Sequence, residues 1–293
     1  MPDPARVMTA PADGRPPPPL GHWLEALPAL AREAGRVVMA VYASDFMVRG
    51  KADASPVTEA DEAAERVIVA GLRALAPGVP IVAEEAVAAG DLPAVAGGAF
   101  WLVDPLDGTR EFVGRNGEFT VNIALVAADG RPLLGVVLAP ALDGGRGRLW
   151  AGADGLGAWV EDDDGRRPIR ARAVPDAGFT VLASRSHGDA AALDAYLAGR
   201  RVAGCSQAGS SLKLCLLAEG LADLYPRFGR TMAWDIAAGH AVLAAAGGEV
   251  WRLPDTPTGE LHDGVPLRYG GHGGYGFENP HFVATGLAER TVR

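Results

Sequence analysis

From Trp23 onward, apolar residues return every three or four positions, at Leu24, Leu27, Leu30, Ala34, Val37, Val38 and Val41. That period predicts an amphipathic helix reaching about residue 42, with Pro28 either in its first turns or at a break. A second helix is expected after Thr58, which can cap it, because Glu59, Asp61 and Glu62 place acids where the helix dipole favours them. By spacing alone, Asp61 is a first-turn acid on a solvated face. Short apolar runs then take over. Residues 81–83 and 100–103 suit strands buried on both sides, and each ends in acid, at Glu84-Glu85 and at Asp104. Pro105 lacks an N–H and disfavours helix before it, so regular pairing should stop there. Residues 117–128 and 132–139 carry long β-branched runs joined by Asp129-Gly130-Arg131, the pattern of a hairpin. Residues 148–151 and 156–160 continue as short strands between glycine turns. The acidic run 161–164 has no apolar anchor and reads as a solvated loop tip.

Beyond residue 178 strands and helices alternate: a strand at 179–183, a helix near 189–197, a strand near 201–204 and a helix from Ser210. An alanine-rich helix behind Trp234-Asp235 and a strand opening at Gly247-Gly248 follow. The alternation implies an α/β layer. One compact unit of two lobes is expected, an α+β lobe over residues 21–175 and an α/β lobe over 176–293. Residues 1–20, with prolines at 16, 17, 18 and 19, lack the apolar content for a core and are expected to form a disordered tail.

The 293 residues are 48% hydrophobic and 22% charged, the balance of a globular protein with a sizeable core. A net charge of −9 argues against binding a nucleic acid polymer, so an anionic ligand has to be attracted locally. No stretch has the eighteen or more apolar residues of a membrane span, and the start lacks the apolar run of a signal peptide. Cys205 and Cys215 read as free thiols in small core positions, which fits a reducing compartment and a cytoplasmic location. Oligomeric state leaves no mark in the sequence.

Asp104 and Asp107 flank Pro105-Leu106, and Asp107-Gly108 is a turn pair whose glycine accepts a conformation most residues resist. Such a turn folds both carboxylates toward one point. Buried like charges raise each other's pKa or cost several kcal/mol unless a cation neutralises them. Mg²⁺ suits all-oxygen ligands and leaves room for water and phosphate. An isolated Asp-Gly pair is ordinarily only a turn. Here Glu84-Glu85, Asp104 with Asp107, and Asp235 stand in three separate stretches, each at an element end beside apolar sequence, which points to one shared site.

The order Glu84-Glu85, then Asp104-Pro105-Leu106-Asp107-Gly108-Thr109, then Trp234-Asp235 before an Ala/Gly-rich helix resembles the inositol monophosphatase superfamily of Mg²⁺-dependent, lithium-sensitive phosphatases. Residues 109–112, 117–125, 184–187, 209–213 and 225–229 are similar to its subgroup of CysQ-type 3'(2'),5'-bisphosphate nucleotidases. The resemblance covers roughly residues 25–285. It implies a layered α/β fold in which helices and sheets alternate as an α-β-α-β-α sandwich. It also implies removal of the 3'-phosphate of adenosine 3',5'-bisphosphate, a by-product of sulfate activation, to give AMP and phosphate, with the sulfated analogue as a second substrate.

The same resemblance implies two or three Mg²⁺ ions, with Mn²⁺ as a substitute. Glu84, Asp104, the Leu106 carbonyl and Asp107 would share one ion, and Asp104, Asp107 and Asp235 a second. Asp61 would help hold a weaker third, and Glu85 would support the centre from nearby. Thr109 would work with Glu84 to orient and deprotonate the attacking water. The N–H groups of Gly108 and Thr109, if they open a helical turn, suit phosphate oxygens. His187, Ser210, Lys213 and Arg227 match positions that contact the nucleotide in the subgroup, with Asp235 beside them. Taken alone, each has an ordinary structural reading: a packed histidine, a capping serine, a snorkelling lysine, a surface arginine. His240 lies among alanines and reads as a packing residue. Some relatives are loosely attached at the inner membrane, although no basic amphipathic helix here argues for it. Two other functions stay open: a broader inositol or sugar phosphatase, and a metal- or nucleotide-binding protein without turnover, against which the intact acidic set argues.

Overall fold

A computed structural model describes residues 19–43, 48–50, 56–95, 97–185, 189–254, 260–270 and 276–287. The expected tail up to residue 18 and His187 lie outside the described residues. Helix α1 (Leu20–Tyr42) starts three residues before the expected Trp23 and runs unbroken through Pro28. A proline there removes one helical hydrogen bond. Trp23, Leu24, Leu27, Ala31, Ala34 and Val38 are buried along one stripe, and that packing carries the helix across the defect. Strands β1 (Val48–Gly50) and β2 (Pro56–Thr58) pair antiparallel, and α2 (Glu59–Leu75) follows directly on Thr58.

The next elements are β3 (Ile81–Ala83), α3 (Glu84–Ala88), β4 (Phe100–Asp107), α4 (Thr109–Val113), β5 (Thr120–Val126) and β6 (Pro132–Ala139). After them come α5 (Leu142–Gly145), β7 (Arg148–Ala153), β8 (Gly157–Asp162) and β9 (Gly165–Ile169). Strands β3 to β9 lie side by side in chain order, with β3 parallel to β4 and every later pair antiparallel. Two expectations are corrected. Strand β4 does not stop at Pro105: its ladder with β5 breaks after Asp104↔Asn122 and resumes at Asp107↔Thr120, so the proline falls where pairing is interrupted and needs no N–H. Glu161 and Asp162 are not a loop tip. They end β8, where Glu161 pairs with Arg32 at 2.6 Å and Asp162 with Arg167 at 2.8 Å; Arg32 lies far away in sequence.

The second sheet follows the expected alternation: β10 (Phe179–Ser184), α6 (Ala190–Leu197), β11 (Val202–Ala208), α7 (Leu212–Ala218), β12 (Leu224–Arg227), α8 (Ala233–Ala245) and β13 (Glu249–Arg252). Strand β14 (Phe282–Thr285), which the apolar pattern did not reveal, slots antiparallel between β12 and β13 in the order β11-β10-β12-β14-β13. Cys215 is buried in α7, whereas Cys205 is exposed because β11 is an edge strand; both are free. No helix among the described residues is long and apolar enough to cross a membrane.

Helices α1 and α2 cover one face of the first sheet, and α8 covers the other. Helix α7 packs on α8 and on the second sheet, whose far face takes Leu193, Tyr196 and Leu197 of α6. The layers thus alternate helix and sheet as expected. Helix α8 can lie this close because it is made of small residues over a glycine: a Cβ on Gly135 of β6 would meet the Ala238 carbonyl oxygen at 2.1 Å.

Candidate active site

Strand alternation decides which acids meet. In β4, Phe100 and Leu102 pack in the core on the α8 side, and Trp101 and Val103 in the core on the α1 side. Asp104 is next in line for the α8 face. Strand β3 runs parallel in the register Val82↔Leu102 and Ala83↔Val103, so Glu84 emerges beside Asp104. Helix α8 lies across that face with Asp235 in its first turn, where Asp235 Oδ2 accepts the Met232 N–H at 2.8 Å. Carboxylate oxygens of Glu84, Asp104 and Asp235 consequently lie within 4.8 Å of one another. Asp107 lines the same cavity, of about 200 Å³, which Leu106, Gly108, Thr109, Ser210, Lys213 and Arg227 also border.

The electrostatics follow from this crowding. Burial pushes Asp104 well above the carboxylate range, and the charges of Glu84, Asp107, Asp235 and Asp61 push it further. Asp235 is raised by burial and then by Asp107 and Glu84, with the Met232 N–H and Arg227 opposing. Burial raises Asp107 to about 6, against the pull of Lys213 and the Ser211 N–H. A set of oxygen donors held together while each repels the next fits a hard divalent cation. Buried polar atoms of Asn122 and Thr120, opposite Asp104 and Asp107 in the ladder, find no hydrogen-bond partner among the described residues, which suits a hydrated centre.

Asp61 corrects its spacing-only reading: it is 1% exposed and is among the charges that raise Asp104. It lies on one stripe of α2 with Ala64, Glu65, Ile68 and Leu72, all buried, a spacing that could have placed it inward. Glu65 was missed altogether. It accepts the N–H groups of Glu85 at 2.7 Å and Ala86 at 2.9 Å, fixing the turn that presents Glu84. Ser211 was missed too; its Oγ donates to the Asp235 carbonyl at 2.5 Å.

The Asp107-Gly108 turn is as expected, with Gly108 at φ 92° and α4 opening at Thr109. Facing it, Ser210 has φ 41°, a left-handed conformation that costs a serine roughly 1–3 kcal/mol. Lys213 is 3% exposed, and its Nζ donates to the Ser210 carbonyl at 2.6 Å and the Ala208 carbonyl at 3.1 Å. Burial pulls Lys213 down to about 8, with Asp107 opposing. Arg227, 6% exposed, donates to the Arg230 carbonyl at 3.1 Å. His240 is a packing residue, buried between Tyr269 Oη at 2.9 Å and Glu249 at 2.6 Å.

Fold and centre together define a class, layered α/β proteins with a cluster of buried acids fit for a hard cation. Within it the chain belongs to the inositol monophosphatase family, whose model matches residues 20–280. The chain is 49% identical to the 3'(2'),5'-bisphosphate nucleotidase CysQ of Escherichia coli (strain K12), over 78% of this chain and 89% of that one. It is 33% identical to the CysQ nucleotidase of Aggregatibacter actinomycetemcomitans, over 89% and 92%. Among solved structures, CysQ from Bacteroides thetaiotaomicron is similar with a TM-score of 0.70 and 34% identity, covering 92% of this chain and 98% of that one. An Anabaena inositol monophosphatase is similar at 0.69 and 28%, covering 92% of each.

Proposed function

We propose that this chain hydrolyses the 3'-phosphate of adenosine 3',5'-bisphosphate to AMP and phosphate, with Mg²⁺, in two or three ions, at the acidic centre and Mn²⁺ able to replace it. The observation that carries the reading is a single cavity lined both by the carboxylates and by Lys213 and Arg227, in a chain 49% identical to a bisphosphate nucleotidase. A substrate with two phosphates suits both sets of groups, one phosphate for the cations that Glu84, Asp104, Asp107 and Asp235 would hold, the other for the fixed basic side chains.

When bound, the metal lowers the pKa of water and offsets charge on the attacking and leaving oxygens. The residues do the rest. Glu84, at the start of α3, receives the proton of the attacking water, which the Thr109 hydroxyl orients. Gly108 and Thr109 direct their N–H groups at the phosphate oxygens. Asp61 adds charge behind Asp104. Ser210, Lys213 and Arg227 bind the nucleotide and the phosphate that stays, with His187 as a further contact.

Purified protein at fixed Mg²⁺ tests this with kcat/KM across adenosine 3',5'-bisphosphate, its sulfated analogue, inositol monophosphate and simple sugar phosphates. The bisphosphate is expected to lead by at least about tenfold. A lead for inositol monophosphate would replace the nucleotide reading with the broader phosphatase one, and binding without phosphate release from any substrate would remove the enzyme.

A further inference from the structure

Glu118 stands just before β5 and joins two walls of the cavity. Its Oε2 accepts the Gly209 N–H at 2.7 Å and the Arg185 Nε–H at 2.9 Å, while Oε1 accepts from Arg185 Nη2 at 2.9 Å. Arg185 also donates to the Gln207 carbonyl at 3.1 Å. The backbone of Glu118 is itself fixed, because its N–H donates to Asn116 Oδ1 at 2.9 Å. An exposed Arg–Glu pair contributes little alone. The bond to Gly209 is another matter, since Gly209 is buried and immediately precedes Ser210 with its φ of 41°.

A non-glycine residue stays in that conformation only where its surroundings hold it. Here Glu118 anchors the residue before Ser210, and Lys213 Nζ anchors the Ser210 carbonyl. The turn presses directly on the Asp107-Gly108 side. A Cβ on Gly209 would lie 2.6 Å from the Glu118 carbonyl oxygen, and one on Gly108 would lie 3.3 Å from both that oxygen and Ser210 Cβ. With so little slack, a shift of Glu118 reaches Ser210 and Lys213.

We propose that Glu118 is a positioning residue for substrate: through the Gly209 N–H its carboxylate sets where Ser210 and Lys213 stand relative to the Asp107–Thr109 turn. The inference rests on the proposed nucleotidase reading only for the identity of the substrate. It predicts a split in the kinetics, because the cation ligands sit on other elements. Glu118→Ala should raise KM for adenosine 3',5'-bisphosphate about tenfold and leave kcat within about twofold, with an unchanged Mg²⁺ requirement. Glu118→Gln keeps an oxygen for the Gly209 N–H and should return KM to within about threefold of the parent enzyme. Arg185→Ala, which leaves that bond in place, should stay in the same narrow range. Should Glu118→Ala not fold, Glu118→Asp, which keeps the charge and loses the reach, carries the same test.

A carboxylate that serves only stability would lower Tm without moving KM, and that result overturns the proposal. So does an equal rise of KM in Glu118→Ala and Glu118→Gln, or in Glu118→Ala and Arg185→Ala. If the parent enzyme prefers inositol monophosphate, the nucleotidase reading falls, and the same comparison on that substrate still decides the role of Glu118.

Discussion

In the proposed reading Asp235 serves binding and opposes folding with the same side chain. Its carboxylate caps the first turn of α8 through the Met232 N–H, yet it is buried beside other acids and its pKa is raised by them. Asp235→Asn keeps an oxygen for the cap and removes one of the repelling charges. Turnover should fall by about a hundredfold or more, because in the proposed reading that charge belongs to a metal ligand. In EDTA, however, Tm should rise, because buried like charges destabilise when no cation offsets them. Steady-state kinetics and thermal melts in EDTA read the two effects separately, and a variant that lost both activity and metal-free stability would show Asp235 to be chiefly a structural cap. Asp107 lacks that cap, and Asp107→Asn should lower turnover to a similar degree.

The elements explain why some of this was legible and some was not. Strands β3 and β4 announce themselves by apolar runs that end in acid, and helix α8 by an Ala-rich run that follows one, so Glu84, Asp104 and Asp235 stood out individually. Their meeting depends on the β3–β4 register and on the lie of α8, which belong to the sheet. Asp61 and Glu65 share the stripe of Ala64, Ile68 and Leu72 on α2, so the helical spacing could have turned them inward; what the spacing does not carry is that the covered end of this stripe lies beside Asp104 and the turn before Glu84. Strand β14 has only four residues and needs β12 and β13 on either side to exist as a strand. The close seat of α8 is testable at Gly135, which faces the Ala238 carbonyl and the Ala241 side chain. Gly135→Ala must push α8 off the sheet, at a cost of about 1–3 kcal/mol or more in urea unfolding. Since α8 carries Asp235, the Mg²⁺ concentration for half-maximal activity should rise as well. Destabilisation with unchanged Mg²⁺ dependence would show that the first turn of α8 holds its place independently of the rest.

For the molecule as a whole, the acidic centre makes stability depend on pH and metal together. Asp107 rises from 3.8 to about 6 in the folded chain, and burial beside other acids raises Asp104 and Asp235 well above their ordinary values too. A group whose folded pKa is raised contributes stability that is complete below its unfolded pKa and is lost as pH climbs through the folded one. The metal-free centre is therefore least costly near pH 4 and increasingly costly toward pH 7. Glu249 runs the other way: burial would raise it, but its bond to His240 prevails and holds it low, so its contribution is lost as pH falls. Groups remote from the centre, Glu249 among them, largely cancel when the melt in Mg²⁺ is compared with the melt in EDTA at the same pH. That difference in Tm should be small at pH 5, where protons compete for the carboxylates, and reach several degrees at pH 7.5, where cation binding relieves the repulsion. A Mg²⁺ increment of equal size at both pH values would mean that the ion binds away from Asp104, Asp107 and Asp235. The same increment should shrink at pH 7.5 in Asp235→Asn, since that variant has less repulsion to relieve and one ligand charge fewer.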